Sequence, residues 1–349
     1  MDHDIEKANH FFLVQKIQIA EIKKTPLGSF DVFDIYPQFG VKLGKLSRSL
    51  QDFALYMGCL GVPDAEFDYT QGSYRIKLQR REVDTMPLSH ALALLPAGML
   101  SPMVLGCTAL GGPLVVDQGA VPNTLVAGAP GSGKSTLLKV MIENLISAQV
   151  GVTIIDPKVV DFASFKNRSG CKVESDPSKF AQIFDTEIDR MNSIYSMLSR
   201  RGFSSVIQNN QSGDSKIYPQ VIIIDEWADV YLSDKKNLNR VLTLSQKGRA
   251  AGISIILATQ RPSSSILPGQ IKANFTGRIA MRVSSDMESR IIMNSSLAAD
   301  ISEPGMAYYM DQSCPQPVYF RVAQNDLSRN DPPQKSTSFW SNIMSVFKI

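Results

Sequence analysis

The chain has 349 residues, 44% hydrophobic and 20% charged, with 36 Lys and Arg against 33 Asp and Glu. That length and balance fit one large α/β domain with a smaller appendage, and exclude a globally disordered chain. A net charge of +3 does not announce nucleic acid by itself, although a ring of copies would concentrate a few basic residues in a shared channel. The four cysteines, Cys59, Cys107, Cys171 and Cys314, are scattered without a CxxC pair, so a zinc site is not expected. The only histidines are His3, His10 and His90, so neither is His-centred catalysis. No secretory signal is read, and reduced thiols in the cytoplasm are the expectation.

In chain order, residues 1–25 are predicted as an N-terminal helix. Ile5, Ala8, Phe12 and Ile19 lie near one face, and Thr25-Pro26-Leu27-Gly28 ends it. A small α+β domain is expected over 26–100. Its strands are placed at Phe30–Tyr36 and Tyr74–Leu78, with a helix at Leu46–Leu60.

From Thr85 to Val116 there is no charged residue. A membrane-spanning helix needs roughly 20 apolar residues. Here Pro96, Pro102, Gly106, Gly111, Gly112 and Pro113 interrupt the run, so buried strands and loops are expected and no transmembrane segment.

A larger α/β domain is expected over 101–325, where strands and helices alternate. Strands are predicted at Thr124–Ala127, Val152–Ile155, Val221–Ile224, Ile253–Leu257 and Gly277–Val283, with helices between them. Lys134–Ser147 is one such helix. Asp176-Pro177 opens a long second one, and Arg200, Arg201 and Gly202 close it. Ser285 and Glu288 form a capping box. Met306–Met310 and Pro317–Val322 complete the sheet as a hairpin. Such β-branched runs separated by helices imply a parallel sheet buried on both faces. Residues 326–349 are read as a polar linker and a short apolar tail containing Phe339, Trp340, Ile343 and Phe347. The tail is expected to dock on the chain's own core, the alternative being a peptide that binds a protein partner or a membrane surface.

The strongest chemical signal is Gly128-Ala129-Pro130-Gly131-Ser132-Gly133-Lys134-Ser135, a full GxxxxGK[ST] match between a strand and a helix. Glycines let backbone N–H groups curl round phosphate oxygens, and the helix N-terminus adds positive potential. Lys134 is expected to reach the β- and γ-phosphates, Ser135 to ligate Mg²⁺, and Thr136 to end the loop. Val221–Ile224 followed by Asp225-Glu226 puts two carboxylates at a strand's C-terminal end. Asp225 is expected to hold Mg²⁺ through water, and Glu226 to orient or deprotonate the attacking water. Gln260, after the strand ending Ala258-Thr259, is a candidate γ-phosphate sensor.

The P-loop resembles, together with Ile155-Asp156-Pro157-Lys158, Ile224–Asp229, Gln246–Gly252, Ala258–Pro262, Ile271–Asn274 and Arg278–Ala280, the successive motifs of the FtsK/SpoIIIE family of DNA translocases. The resemblance is high over about 100–325 and weaker over 30–100. It implies a RecA-like P-loop NTPase with a parallel sheet flanked by helices, preceded by a small α+β domain. It also implies a homo-hexameric, ATP-dependent motor on double-stranded DNA, with ATP and Mg²⁺ as cofactors. A conjugation or secretion coupling ATPase, or a viral genome-packaging ATPase, is the alternative within the same superfamily.

The resemblance further implies an arginine acting across the subunit boundary. Arg249 is the first candidate, and Arg278 and Arg282 follow. Channel contacts should go mostly to phosphates, because a motor must ignore sequence. Candidates are Arg261, Ser263, Ser264 and Lys272 after the third motif, and Lys158, Lys166 and Arg168 after the second strand. Asp286 stands where the family often has a basic residue, which weakens the carry-over of an inter-subunit contact there. The membrane and winged-helix domains of the cell-division members are not expected in this sequence.

Overall fold

The computed structural model describes residues 2–60, 63–213 and 216–327. The chain divides into two compact units. One takes the residues up to 84 together with 108–112, and the other takes 85–107 and the chain from 113 onward.

The first unit begins with α1 (His3–Val14), capped by the Asp2 side chain, which accepts from the Asp4 amide. The helix expected over 1–25 stops there. Residues Ile19–Leu27 form β1, a strand that pairs antiparallel with β2 (Phe30–Pro37) across the Gly28-Ser29 turn. Thr25-Pro26 therefore lies inside an edge strand instead of ending a helix; Pro is tolerated on an edge because its missing N–H faces away from the ladder. Next come α2 (Leu43–Arg48) and α3 (Leu50–Met57), two short helices where one was expected. β3 (Asp64–Asp68) and β4 (Ser73–Gln79) complete a four-stranded sheet in the order β1-β2-β4-β3. Phe12, Phe33, Phe53, Ile35, Leu46 and Leu78 are fully buried at its core.

The second unit opens with α4 (Leu88–Ala93), then the hairpin β5 (Pro102–Thr108) and β6 (Pro113–Asp117). The uncharged run thus becomes a short helix and buried strands. No helix among the described residues is long and apolar enough to cross a membrane.

The α/β alternation follows: β7 (Asn123–Ala127), α5 (Lys134–Ser147), β8 (Gly151–Ile155), β9 (Cys171–Glu174), α6 (Pro177–Arg201), α7 (Val206–Gln211) and β10 (Gln220–Ile224). Then come α8 (Trp227–Ser233), α9 (Asn237–Lys247), β11 (Ile253–Thr259), α10 (Gly269–Asn274), β12 (Gly277–Met281), α11 (Asp286–Met293), β13 (Met306–Met310) and β14 (Val318–Val322).

The ten strands form one sheet in the order β6-β5-β14-β13-β12-β7-β11-β10-β8-β9. From β12 to β9 every neighbouring pair is parallel, whereas β12 with β13, β13 with β14 and β5 with β6 are antiparallel. Every residue of β7, β10 and β11 is buried. Successive side chains point to opposite faces, so both faces of the central sheet are covered.

This is a P-loop ATPase fold, and one feature of the order positions the site. β11 lies between β7 and β10, so the loops leaving those three strands emerge side by side at one edge. Long helix α6 is fixed as its sequence suggests. Asp176 caps it by accepting from the Ser178 amide, and Gly202 terminates it at φ 73°. Gly106 marks where β5 crosses close to β14: a Cβ there would lie 1.9 Å from the Arg321 carbonyl oxygen.

Candidate functional site

The loop Gly128–Gly133 leaves β7 and enters α5. Gly131 and Gly133 take φ of 76° and 101°, the left-handed backbone that glycine adopts without strain. The loop is pinned on both sides. The Ala129 amide donates to the Arg282 carbonyl at 2.8 Å, and the Gly305 amide donates to the Ser132 carbonyl at 2.8 Å. Gly128 leaves no room for a side chain, since a Cβ would meet Ser132 Oγ at 2.5 Å. Gly305 escaped the sequence reading; the Pro304-Gly305 turn was its only signal.

Lys134 is 4% exposed and its ammonium donates to Asp225 Oδ1 at 2.6 Å and to the Asp225 carbonyl at 2.7 Å. A buried pair at this distance is viable only where each ion has further polar contacts. Asp225 itself is fully buried at the end of β10. Glu226, next in the chain, is held by two donors from the neighbouring strand end. Thr259 Oγ1 donates to its Oε1 at 2.7 Å and the Gln260 amide to its Oε2 at 3.0 Å. Lys158 Nζ stands 3.9 Å from the same Oε2. The structure therefore brings Lys134, Ser135, Asp225, Glu226 and Gln260 to one sheet edge, at the C-terminal ends of β7, β10 and β11.

Two further acids join them from the loop after β8. Asp161 Oδ2 accepts from Ser135 Oγ at 3.0 Å. Asp156 is fully buried, and its Oδ1 accepts from the Lys158 and Val159 amides. Burial, and then the nearby Asp225 carboxylate, push the Asp156 carboxyl above the usual carboxylate range, against the pull of those amides. Ser132 Oγ, Asp156 Oδ2 and Asp225 Oδ2 are buried without a hydrogen-bond partner among the described residues. That is the polar capacity a triphosphate and a hydrated divalent cation use. No three Asp, Glu, His or Cys side chains among the described residues could together hold a metal ion directly. A magnesium ion here would therefore keep several of its waters. Asp156 was visible as part of a motif, but nothing in the sequence placed Asp161 beside Ser135.

The basic candidates separate into groups. Arg261, Ser263 and Ser264 follow β11 and Lys158 follows β8, at the edge that carries the P-loop, whereas Lys166 and Arg168 lie on the return to β9, whose first residue pairs with Val152 at the N-terminal end of β8. Arg168 is already occupied by a two-pronged contact to Glu143, at 3.2 and 2.8 Å. Lys272 lies elsewhere, on α10, which leads into the N-terminal end of β12. There Asn123 at the start of β7 donates to the Ser245 and Asn274 carbonyls.

The candidate arginines also differ. Arg278 donates to the Ile292 and Lys272 carbonyls, each at 2.7 Å, and burial lowers its pKa from the usual range. Arg282 belongs to the segment that supports the chain's own P-loop. Arg249 is exposed, in the turn before β11, and makes no side-chain hydrogen bond or ion pair among the described residues. It lies at the sheet edge opposite its own P-loop.

Trp227 was quoted in the sequence only as part of a motif. It is fully buried, and its indole N–H donates to the Ile266 carbonyl at 2.7 Å, tying the loop after Gln260 to the residue next to Glu226.

Residues 98–264 match the model of the FtsK/SpoIIIE family. A DNA translocase FtsK of Treponema pallidum is 29% identical over 90% of this chain and 41% of its own length. The DNA translocase SftA of Bacillus subtilis is 28% identical over 85% and 33%. The chain thus spans well under half of these curated relatives. Among solved structures, the pCW3 conjugation coupling protein TcpA, in a monomer form with ATPγS, superposes with a TM-score of 0.65 at 18% identity, covering 92% of this chain and 95% of that one. The cytoplasmic domain of the Type VII secretion ATPase EccC of Thermomonospora curvata gives 0.60 at 22% identity, covering 69% and 32%.

Proposed function

Because residues 98–264 form an FtsK/SpoIIIE family domain, we propose that this chain is an ATP-hydrolysing motor that moves double-stranded DNA through a ring of its own copies. The observation that carries the reading is Glu226, held by Thr259 and Gln260 beside the P-loop lysine and its partner Asp225. A carboxylate with both oxygens fixed at that place suits the activation of a water that attacks a bound γ-phosphate.

Each group has a role in that reaction. The P-loop amides and the α5 N-terminus receive the phosphates. Lys134 turns from Asp225 to the β- and γ-phosphate oxygens. Ser135 and Asp225 would hold the magnesium, Asp225 through water. When bound, that ion neutralises charge on the β- and γ-phosphates. Gln260 senses the γ-phosphate, its backbone already joined to Glu226. Arg249 serves a neighbouring copy's nucleotide, since its own lies at the other sheet edge. Arg261, Ser263 and Ser264, with Lys158 and Lys166, contact DNA phosphates. Arg168 joins them only by leaving Glu143, and Lys272 serves a separate contact. A cytoplasmic location fits cysteines that form no disulfide, Cys59, Cys107, Cys171 and Cys314.

The test is phosphate release with and without duplex DNA, together with displacement of a third strand annealed to the duplex. DNA-stimulated turnover and displacement are expected. Glu226→Gln should abolish turnover while nucleotide still binds. Absent DNA stimulation and absent displacement would remove the translocase reading. The coupling-ATPase reading has one observation in its favour, a fold shared with TcpA over nearly the whole of both chains. Capture of a protein substrate without DNA affinity would support it instead.

A further inference from the structure

We propose that Asp161, from the loop after β8, is the residue that orients Ser135 toward the metal in this chain. The inference rests on the nucleotide reading of the same site and adds a positioning residue to it.

A serine hydroxyl carries one proton and two lone pairs. To ligate a cation it must spend the proton elsewhere, so that a lone pair faces the ion. In a P-loop site the natural acceptor is a carboxylate within hydrogen-bond reach. Asp225 is not that acceptor in this structure. Its Oδ1 and its carbonyl oxygen both accept from Lys134, and its Oδ2 has no partner among the described residues. Asp161 accepts the hydrogen bond instead, with Ser135 Oγ donating to its Oδ2 at 3.0 Å. A charged acceptor makes this bond stronger than a neutral one.

Two buried carboxylate oxygens point to what the arrangement serves. Asp156 Oδ2 and Asp225 Oδ2 belong to side chains with no exposed surface, and neither has a hydrogen-bond partner among the described residues. Uncompensated carboxylate oxygens at such depth are costly unless a cation or its waters meet them. Asp156 and Asp161 belong to one loop, and Lys158 between them reaches toward Glu226 at 3.9 Å. Loading the metal site is thereby sensed by a loop that also touches the water-activating acid and carries Lys166.

The experiment measures ADP affinity with magnesium and with EDTA for the parent chain, Asp161→Ala, Asp161→Asn, Ser135→Ala and the Asp161→Ala/Ser135→Ala double variant. Partners that orient a metal ligand typically carry a 10–100-fold effect on affinity. Asp161→Ala should therefore cut the magnesium-dependent gain in affinity about tenfold and leave affinity in EDTA unchanged. Asp161→Asn, which keeps an acceptor oxygen but not the charge, should fall between. In the Ser135→Ala background the Asp161 change should have no further effect, because the two act as one unit. Additive losses in the double variant, an unchanged magnesium gain, or equal losses with and without metal would each overturn the proposal. If the parent chain itself gained nothing from magnesium, the nucleotide reading would fall first.

Discussion

Glu226 carries the proposed chemistry, and its environment shows how one residue is made ready for it. Glu226 is 6% exposed. At that depth an ionised group keeps its geometry only while its acceptors are matched. Thr259 and Gln260 supply the match, one from a hydroxyl and one from the main chain. Thr259→Val keeps the shape and removes one donor. Loss of a hydrogen bond to a buried charged group costs about 1–3 kcal/mol. The expected result is a lower melting temperature and turnover reduced roughly tenfold as the carboxylate loosens, with nucleotide affinity unchanged. Steady-state phosphate release and fluorescent-nucleotide titration separate the two. Equal loss of affinity and turnover would show that Thr259 supports the P-loop rather than Glu226.

At the scale of elements, the proposed link between chemistry and DNA runs through the short stretch that joins β10 to α8. Glu226 precedes Trp227, and the Trp227 indole holds the Ile266 carbonyl in the loop that begins with Gln260 and Arg261. A shift of Glu226 would therefore reach the loop that carries Arg261 through one buried ring and one hydrogen bond. Trp227→Phe retains most of the packing and deletes that bond, worth about 1 kcal/mol. Basal turnover should persist within roughly twofold while stimulation by duplex DNA is lost. Stimulation that survives would place the coupling elsewhere.

The same elements show what was readable beforehand. The P-loop, Asp225-Glu226 and the β-branched strands were legible because each combines a fixed chemistry with a fixed strand or helix context. The edge strands were not. β3 reads Asp-Ala-Glu-Phe-Asp and β9 reads Cys-Lys-Val-Glu, too polar or short for an alternation signal, and pairing to a neighbour makes them strands. Ile19 and Ile22 of β1 fitted a helical stripe equally well, and only pairing with β2 decides between the two periods. Asp161 was invisible for another reason: its partner Ser135 is 26 residues away, and no spacing rule encodes that approach. The expectations for residues 328–349, including the apolar tail, lie outside the described residues.

At the scale of the whole molecule, the placement of Arg249 decides what an active unit must be. The P-loop follows the C-terminal end of β7, whereas Arg249 precedes the N-terminal end of β11, and those strands run parallel. Its own nucleotide is therefore out of reach across the sheet, and under the proposed function an exposed guanidinium with no side-chain partner among the described residues is available to another copy's site. Head-to-tail contacts of this kind close into rings when the rotation permits. An arginine supplied across such a boundary contributes on the order of 10³-fold or more to phosphoryl transfer. Arg249→Ala should thus bind nucleotide normally and lose turnover by that order, and Lys134→Ala should also be inactive. Mixed in equal amounts and allowed to assemble, the two defective chains should recover activity. A working site then pairs a subunit with intact Lys134 and a neighbour with intact Arg249, which random mixing yields at about a quarter of the boundaries. Arg278→Ala, whose guanidinium is spent on the Ile292 and Lys272 carbonyls, should lower the melting temperature and show no such complementation. A mixture of Arg249→Ala and Lys134→Ala that stayed silent while both proteins assembled would mean that Arg249 does not cross the boundary.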